Sequence, residues 1–366
     1  MSQSVSLNHE YIAGFVQADG SFGATVTEKN KNLYLSLAFT IVQNVKYKEV
    51  ILEIQQIFGG VGHWYYNDKD NTIRYQVTNK KDLLNNIIPF FMKHQLRGDK
   101  LLSFLRFKYI VEMLNENAHK NNKSVLLSLI VIASNLNPLG KIGNKIRHLN
   151  KEEQQYVIDN KQPDGIDISR LTNSIKTFKQ NPLTREFITG LFDGDGNLTI
   201  YLKPITSKVK LSQGIKVNEE IKYSIGCSFT IVQDIYNLPL LEEIKEYFSC
   251  STQETGYIYK LSDKCYIYKV SSKPDIMSNV LPKLIDENDL NNINNVDLSK
   301  LPVMKSNQIL YGAKILLSCP KGSIKGQEKL IEILKWLYLI HKNSNNIKLE
   351  EYVNNKLIEL ARVKDK

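Results

Sequence analysis

The chain has 366 residues, 42% of them hydrophobic, which suits one large core or two moderate ones and excludes a disordered polypeptide. Its 48 Lys and Arg outnumber 38 Asp and Glu, for a formal net charge of +10. A basic surplus of that size points to a polyanionic partner, nucleic acid foremost.

Taken in chain order, residues 12–20 read as a short helix that ends at Gly20. Residues 21–28 and 33–44 alternate as two strands of a hairpin, with Lys29, Asn30, Lys31 and Asn32 at the turn. Residues 47–58 have helical periodicity, stopped by Gly59 and Gly60. Residues 61–67 and 72–78 form a second hairpin, and residues 82–92 and 100–114 are amphipathic helices. The order is αββαββα. A second copy runs through residues 187–192, 198–202, 222–233, 238–247, 256–260, 265–270 and the region after Pro274. Residues 116–184, rich in Asn and Lys, read as a polar connector with helical pieces. The division is 1–115, 116–184 and 185–366.

The sequence itself repeats. Ile12-Ala13-Gly14-Phe15-Val16-Gln17-Ala18-Asp19-Gly20 returns as Ile188-Thr189-Gly190-Leu191-Phe192-Asp193-Gly194-Asp195-Gly196. Phe39-Thr40-Ile41-Val42-Gln43 returns letter for letter as residues 229–233. A weaker echo sets Lys93-His94-Gln95-Leu96 against Lys300-Leu301-Pro302-Val303. Between Asp195 and Gln233 there are about 14 more residues than between Asp19 and Gln43, which places a longer hairpin loop around residues 204–220.

Small residues at Ala13, Gly14, Ala18, Thr189, Gly190 and Gly194 let two helix backbones approach closely. Asp19 and Asp195 stand at the C-terminal ends of these helices, where the macrodipole disfavours a carboxylate by roughly 0.3–1 kcal/mol. A divalent cation reverses the sign of that term. A site with few hard oxygen ligands suits Mg²⁺, which keeps waters and takes phosphate oxygens. Gly20 and Gly196 read as left-handed residues ending each helix.

The two nine-residue segments resemble the paired motif of the LAGLIDADG homing endonucleases, and the resemblance covers nearly the whole chain. It implies an α+β fold of two pseudo-symmetric αββαββα repeats. Each is a curved antiparallel four-stranded sheet backed by helices, packed through the two LAGLIDADG helices. It also implies Mg²⁺-dependent double-strand cleavage of a long asymmetric target, with Mn²⁺ as a substitute and Ca²⁺ supporting binding rather than cleavage. Asp19 and Asp195 would hold the metal, with weaker backbone contributions around Ala18, Gly20 and Gly194. Asp193, which stands where the first repeat has Gln17, is assigned a supporting role. Gln43 and Gln233 would border the reaction centre. Lys93 and Lys300 would be the basic residues that polarise water, with Lys100 and Lys305 as substitutes. The alternative within the family is an intron-encoded RNA maturase that assists splicing; a DNA-binding protein with a dead site is a third reading.

Strand parity separates an apolar face from a polar one that suits groove reading. The polar positions are Thr25, Thr27, Tyr34, Ser36, Thr40, His63, Tyr65, Asn67, Arg74 and Gln76 in the first repeat. Those of the second are Tyr201, Lys203, Ser228, Thr230, Tyr257, Tyr259 and Lys269. Arg74 is the best-suited to a guanine edge. Duplex DNA is the expected partner, with host intron RNA as a further one and a monomer as the expected state. Lys, Asn, Ile and Tyr are abundant, as AT-rich coding produces, and with no leader visible this points to a mitochondrion or other organelle.

Other motifs fall away. Cys227, Cys250, Cys265 and Cys319 form no CxxC pair. The EF-hand-like start at Asp193 has Leu198 and Pro204 where the loop needs Gly and Glu. The histidines lack metal spacing, and no nucleotide-binding glycine motif occurs. The apolar stretch 125–133 is too short to cross a bilayer.

Overall fold

A computed structural model describes residues 7–30, 32–117, 119–120, 122–136, 146–159, 166–205, 222–293, 295, 306–319, 323–324, 327–341 and 355. The chain divides into two compact units. One comprises residues 5–194 with 236–240, and the other residues 1–4, 195–235 and 241–366.

In the first unit, helix α1 (His9–Asp19) begins where the Asn8 side chain accepts from the Glu10 N–H at 2.8 Å. That N-cap satisfies one of the amides a helix start leaves open. Residues 11–17 of α1 are all buried, so the helix lies inside the unit rather than on its surface. Strand β1 (Gly20–Lys29) follows without a loop and pairs antiparallel with β2 (Asn32–Asn44). Asn30, at φ 51°, supplies the left-handed residue that tightens this hairpin. Helix α2 (Lys48–Ile57) leads to β3 (His63–Asn67) and β4 (Thr72–Val77), whose hairpin turns at Asn71, also φ 51°. The sheet order is β1-β2-β4-β3.

Alternation decides which face is covered. Phe22, Val26, Leu37, Phe39, Ile41, Ile73, Tyr75 and Val77 are buried together on one side. Against them pack Phe58, Phe91, Phe104 and Phe107, with ring centroids 5.2 Å apart for Phe22–Phe107 and 5.5 Å for Phe39–Phe91. Such aromatic pairs add about 0.5–1.5 kcal/mol each beyond the area they bury.

Helix α3 (Lys80–Asp82), a π turn (Leu83–Ile87) and α4 (Ile88–Lys93) form one helical run, where the periodicity predicts a plain helix. Pro89 explains the turn: it has no N–H and its ring displaces the carbonyl four residues back. The ladder adjusts by letting the Ile88 N–H reach back to the Leu83 carbonyl. Helix α5 (Gly98–Asn115) then crosses under the sheet, and its Phe104 and Phe107 reach Phe22.

The connector differs from its expected polar character. Helix α6 (Lys123–Ser134) buries Leu126, Ile130 and Val131 against Val26, with Leu33 and Leu35 beside them. It extends the first unit's core under the hairpin end of the sheet.

The second unit repeats the plan with β5 (Gly196–Ile205), β6 (Lys222–Asp234), β7 (Tyr257–Ser262) and β8 (Cys265–Val270), in the order β5-β6-β8-β7. A short ninth strand, β9 (Ser323–Ile324), pairs with Tyr223 and Ser224 of β6. The β5–β6 pairing runs out to Ile205 opposite Lys222, and the extra residues of this repeat, between these strands, lie outside the described residues. A second π turn (Ile276–Val280) precedes Pro282, as the first precedes Pro89. Tyr75 donates to the Val61 carbonyl and Tyr268 to that of Thr255, each at 2.8 Å, and burial pushes both phenols upward.

Candidate functional site

The second motif helix (Arg185–Asp195) lies with α1 in the first unit as far as Gly194. A Cβ on Gly14 would run into the Phe187 carbonyl oxygen, and one on Gly190 into that of Tyr11. A Cβ on Gly194 would overlap Ala18 Cβ. The small residues of the two motifs therefore permit backbone-to-backbone packing, as the sequence implies.

Gly20 is correctly placed but for a different reason than predicted. Its φ is −83° and ψ 155°, extended rather than left-handed, because the chain runs straight from α1 into β1. Gly196 is likewise outside the positive-φ glycines among the described residues. Glycine is needed at 20 because a Cβ would meet Val16 Cγ1 and the Val16 carbonyl.

Asp19 closes α1, and Gln43 Nε2 donates to its Oδ2 at 2.8 Å. Gln43 is fixed in turn by accepting the Asn44 N–H at 2.8 Å. In the second unit, Gln233 Nε2 donates to Asp195 Oδ2 at 2.6 Å and also reaches the Val232 carbonyl at 2.9 Å. The sheet register explains the match. Gly20 pairs with Ile41 and Gly196 with Ile231, so each glutamine sits two residues beyond the strand partner of its glycine. Each repeat thus brings its carboxylate and its glutamine together. Each amide N–H partly offsets the cost of a carboxylate at a helix C-terminus.

The lysine assignment changes. Lys93 lines a cavity with His9, Phe58, Pro89, Phe90 and His94. His9 opens α1 and Asp19 closes it, so this cavity lies about 15 Å along the helix axis from Asp19, at 1.5 Å per residue. Lys93 is therefore no neighbour of the carboxylate. Lys100 is: its Nζ donates to the Gly20 carbonyl. Lys300 lies outside the described residues, as does Lys305. The helix after them (Ser306–Ser318) still gives a register. Lys80 donates to the Leu114 carbonyl at the C-terminal end of α5, and Lys273 donates to the Cys319 carbonyl at the end of the corresponding helix of the second repeat. Counting back equally from Leu114 and Cys319 makes position 305 the sequence equivalent of Lys100.

Gln17, Arg97 and Asn237 were not legible beforehand as supporting residues, whereas Asp193 was expected in such a role. Gln17 and Asp193 occupy one motif position and are both 2% exposed. Gln17 accepts the Arg97 N–H at 2.8 Å, and the Tyr11 hydroxyl donates to Asp193 at 2.6 Å. Asp193 thereby locks the helix pair rather than facing outward, and burial, with this carboxylate nearby, raises the Tyr47 phenol. The Asn237 side chain accepts the Asp99 N–H at 2.9 Å at the start of α5, one residue before Lys100. Gly98, at φ +53°, must be glycine there, since a Cβ would also strike Asn237 Oδ1. The available signal was a polar residue within an otherwise apolar motif helix.

On the sheet, the polar positions share one face. Thr25 pairs with Ser36 and Thr27 with Tyr34 across β1–β2. Thr40 pairs with Gln76, Gln76 with His63, Arg74 with Tyr65 and Thr72 with Asn67. Thr25, Thr27, Tyr34, Ser36, His63, Tyr65, Asn67 and Arg74 are exposed, and Thr40 and Gln76 half-buried. In the second unit Tyr201, Lys203, Tyr257 and Tyr259 are exposed, while Ser228, Thr230 and Lys269 are half-buried. Where the first sheet has Arg74 opposite Val42, the second has buried Ile267 opposite Val232.

Among the described residues, no three His, Cys, Asp or Glu side chains gather as a metal cage. One carboxylate at the end of each motif helix, beside backbone oxygens, suits a hard cation that keeps much of its water and takes phosphate oxygens. The donor chemistry therefore fits Mg²⁺ better than a thiophilic or fully caged ion.

A motif helix ending on a carboxylate, a four-stranded sheet returning a glutamine to it, and the whole arrangement present twice define the two-motif LAGLIDADG class. The sequence profile of the LAGLIDADG endonuclease family matches residues 12–111 and 188–302, and the chain belongs to that family. It is 28% identical over 276 residues to the Mycosarcoma maydis protein named "Probable intron-encoded DNA endonuclease 1", covering 75% of this chain and 90% of that one. With the Neurospora crassa protein named "Probable intron-encoded endonuclease 2" it shares 27% identity over 282 residues, covering 75% of this chain but only 55% of that longer protein. Its fold matches the crystal structure of the I-LtrWI LAGLIDADG homing endonuclease bound to target DNA. The TM-score is 0.68 at 22% identity, over 92% of this chain and 98% of the other.

Proposed function

We propose that the chain is a homing endonuclease that hydrolyses both strands of a long, asymmetric DNA duplex at the insertion point of its own intron. The observation that carries this reading is the carboxylate–glutamine pair at the end of each motif helix, Asp19 with Gln43 and Asp195 with Gln233. Asp19 and Asp195 would hold Mg²⁺, which supplies Lewis-acid stabilisation of the phosphate and a water acidified for attack. Gln43 and Gln233 orient the carboxylates, and each retains a polar group for water or a phosphate oxygen. Lys100 would offset charge developing on the phosphate, and Lys305, its equivalent in sequence, would do the same for the second motif. Mn²⁺ substitutes, while Ca²⁺, larger and looser in geometry, supports binding without turnover. The polar sheet faces read bases, and the lysine-rich exterior holds the backbone.

The endonuclease relatives favour this over the RNA-maturase reading. The protein acts as a monomer, encoded and working in an organelle. The test is incubation with a duplex carrying the uninterrupted insertion junction, in Mg²⁺ and in EDTA. Double-strand cuts appear only with the metal, and Asp19→Asn or Asp195→Asn abolishes them while gel-shift binding persists. Cutting in EDTA, or full cutting by either variant, overturns the proposal.

A further inference from the structure

On the polar face of the first sheet three side chains are joined. The Tyr65 hydroxyl donates to Gln76 Oε1 at 2.8 Å, and Gln76 Nε2 donates to Thr40 Oγ1 at 3.2 Å. The strand register brings them together, since Gln76 pairs with Thr40 on one side and His63 on the other, with Tyr65 on the diagonal. A glutamine amide has two N–H donors and two acceptor lone pairs. Tyr65 and Thr40 take one of each, whichever way the amide is turned. One donor and one acceptor remain, held at a fixed place on a rigid sheet.

That remainder matches adenine, whose major-groove edge offers an N6 donor beside an N7 acceptor. The second sheet differs at the same register position. Lys269 pairs with Thr230 and Tyr257 where Gln76 pairs with Thr40 and His63. An ammonium donates but cannot accept, so it suits the two acceptors of guanine and not the mixed edge of adenine. We infer that Gln76, positioned by Tyr65 and Thr40, reads an adenine through the first sheet, and that Lys269 reads a guanine through the second. Tyr65 is a positioning residue with a second task, for the Arg74 guanidinium lies 6.0 Å from its ring centre. The hydroxyl serves Gln76 and the ring serves Arg74.

This rests on the duplex-cleavage reading above, and the experiment separates the two. The probe is the insertion-junction duplex with each base pair substituted singly, scored by cleavage rate. Wild-type protein prefers adenine at one position of one half of the target by about tenfold. Gln76→Ala and Tyr65→Phe reduce that preference to below about twofold and leave the other positions unchanged, the ring that serves Arg74 being intact. Gln76→Lys transfers the preference to guanine. Lys269→Gln moves one position in the other half from guanine to adenine. Circular dichroism melts verify that each variant is folded. An unchanged profile for Gln76→Lys overturns the inference alone, as does uniform slowing of every duplex by Tyr65→Phe. Failure of the wild-type protein to cut any duplex overturns the nuclease reading, and the inference with it.

Discussion

At the scale of single residues, position along a helix decides chemical role. Lys93 and Lys100 are seven residues apart in sequence, yet one stands near the start of α1 and the other at its end. Lys100→Met is expected to slow single-turnover cleavage on the order of 10²-fold while leaving duplex binding within a factor of a few, the usual loss when one preorganised donor is removed. Lys93→Met should leave the rate unchanged, and equal losses for both would return Lys93 to the reaction centre. The carboxylates were legible because they recur in a repeated motif. The lysine was legible only as a substitute, because the weak echo of Lys93 with Lys300 matched letters, whereas the Lys100 ammonium lies on the Gly20 carbonyl. Gly20 shows the same limit: the sequence marks a glycine at a helix end, but only the following strand reveals that it needs space beside Val16 rather than a left-handed turn.

Among the elements, hairpins and strand faces were readable from alternation, since a two-residue period leaves one face apolar whatever packs on it. The π turns were not, although Pro89 and Pro282 occupy matching places, because a proline inside a helical pattern signals interruption without specifying its form. The character of α6 also escaped, because a connector rich in Asn and Lys hides one short apolar helix whose burial depends on the sheet above it. The motif helices offer a sharp test of packing. Gly14→Val forces a side chain against the Phe187 carbonyl, which is backbone and cannot swing away. We expect a loss of about 3 kcal/mol or more, read as a large fall in the midpoint of urea unfolding. Gly23→Ala, whose Cβ would meet only the Ala38 carbonyl at 3.8 Å, serves as the control and should change little. Similar midpoints for the two variants would show that the helix pair is looser than its geometry indicates.

For the whole molecule, the net charge of +10 sets how association responds to salt. Each phosphate neutralised by a lysine contributes to the fall of log K with log salt, so exposed Lys29 at the β1–β2 turn is a natural probe. Lys29→Ala should weaken all duplexes alike and lower the salt slope by about 1, in contrast to the base-selective variants of the sheet. A slope equal to wild type across a sodium chloride titration would exclude Lys29 from the backbone contacts. The two repeats that carry this charge are not interchangeable parts. Residues 236–240 come from the second repeat's sequence but belong to the compact unit of the first, where Asn237 supplies the acceptor at the start of α5. A chimera spliced after residue 194, with its rear half taken from a relative, would place a foreign side chain opposite Gly98 and remove the Asn237 acceptor of the Asp99 N–H. Shuffled halves therefore keep this contact when those five residues travel with the front half, or when the donor carries asparagine there.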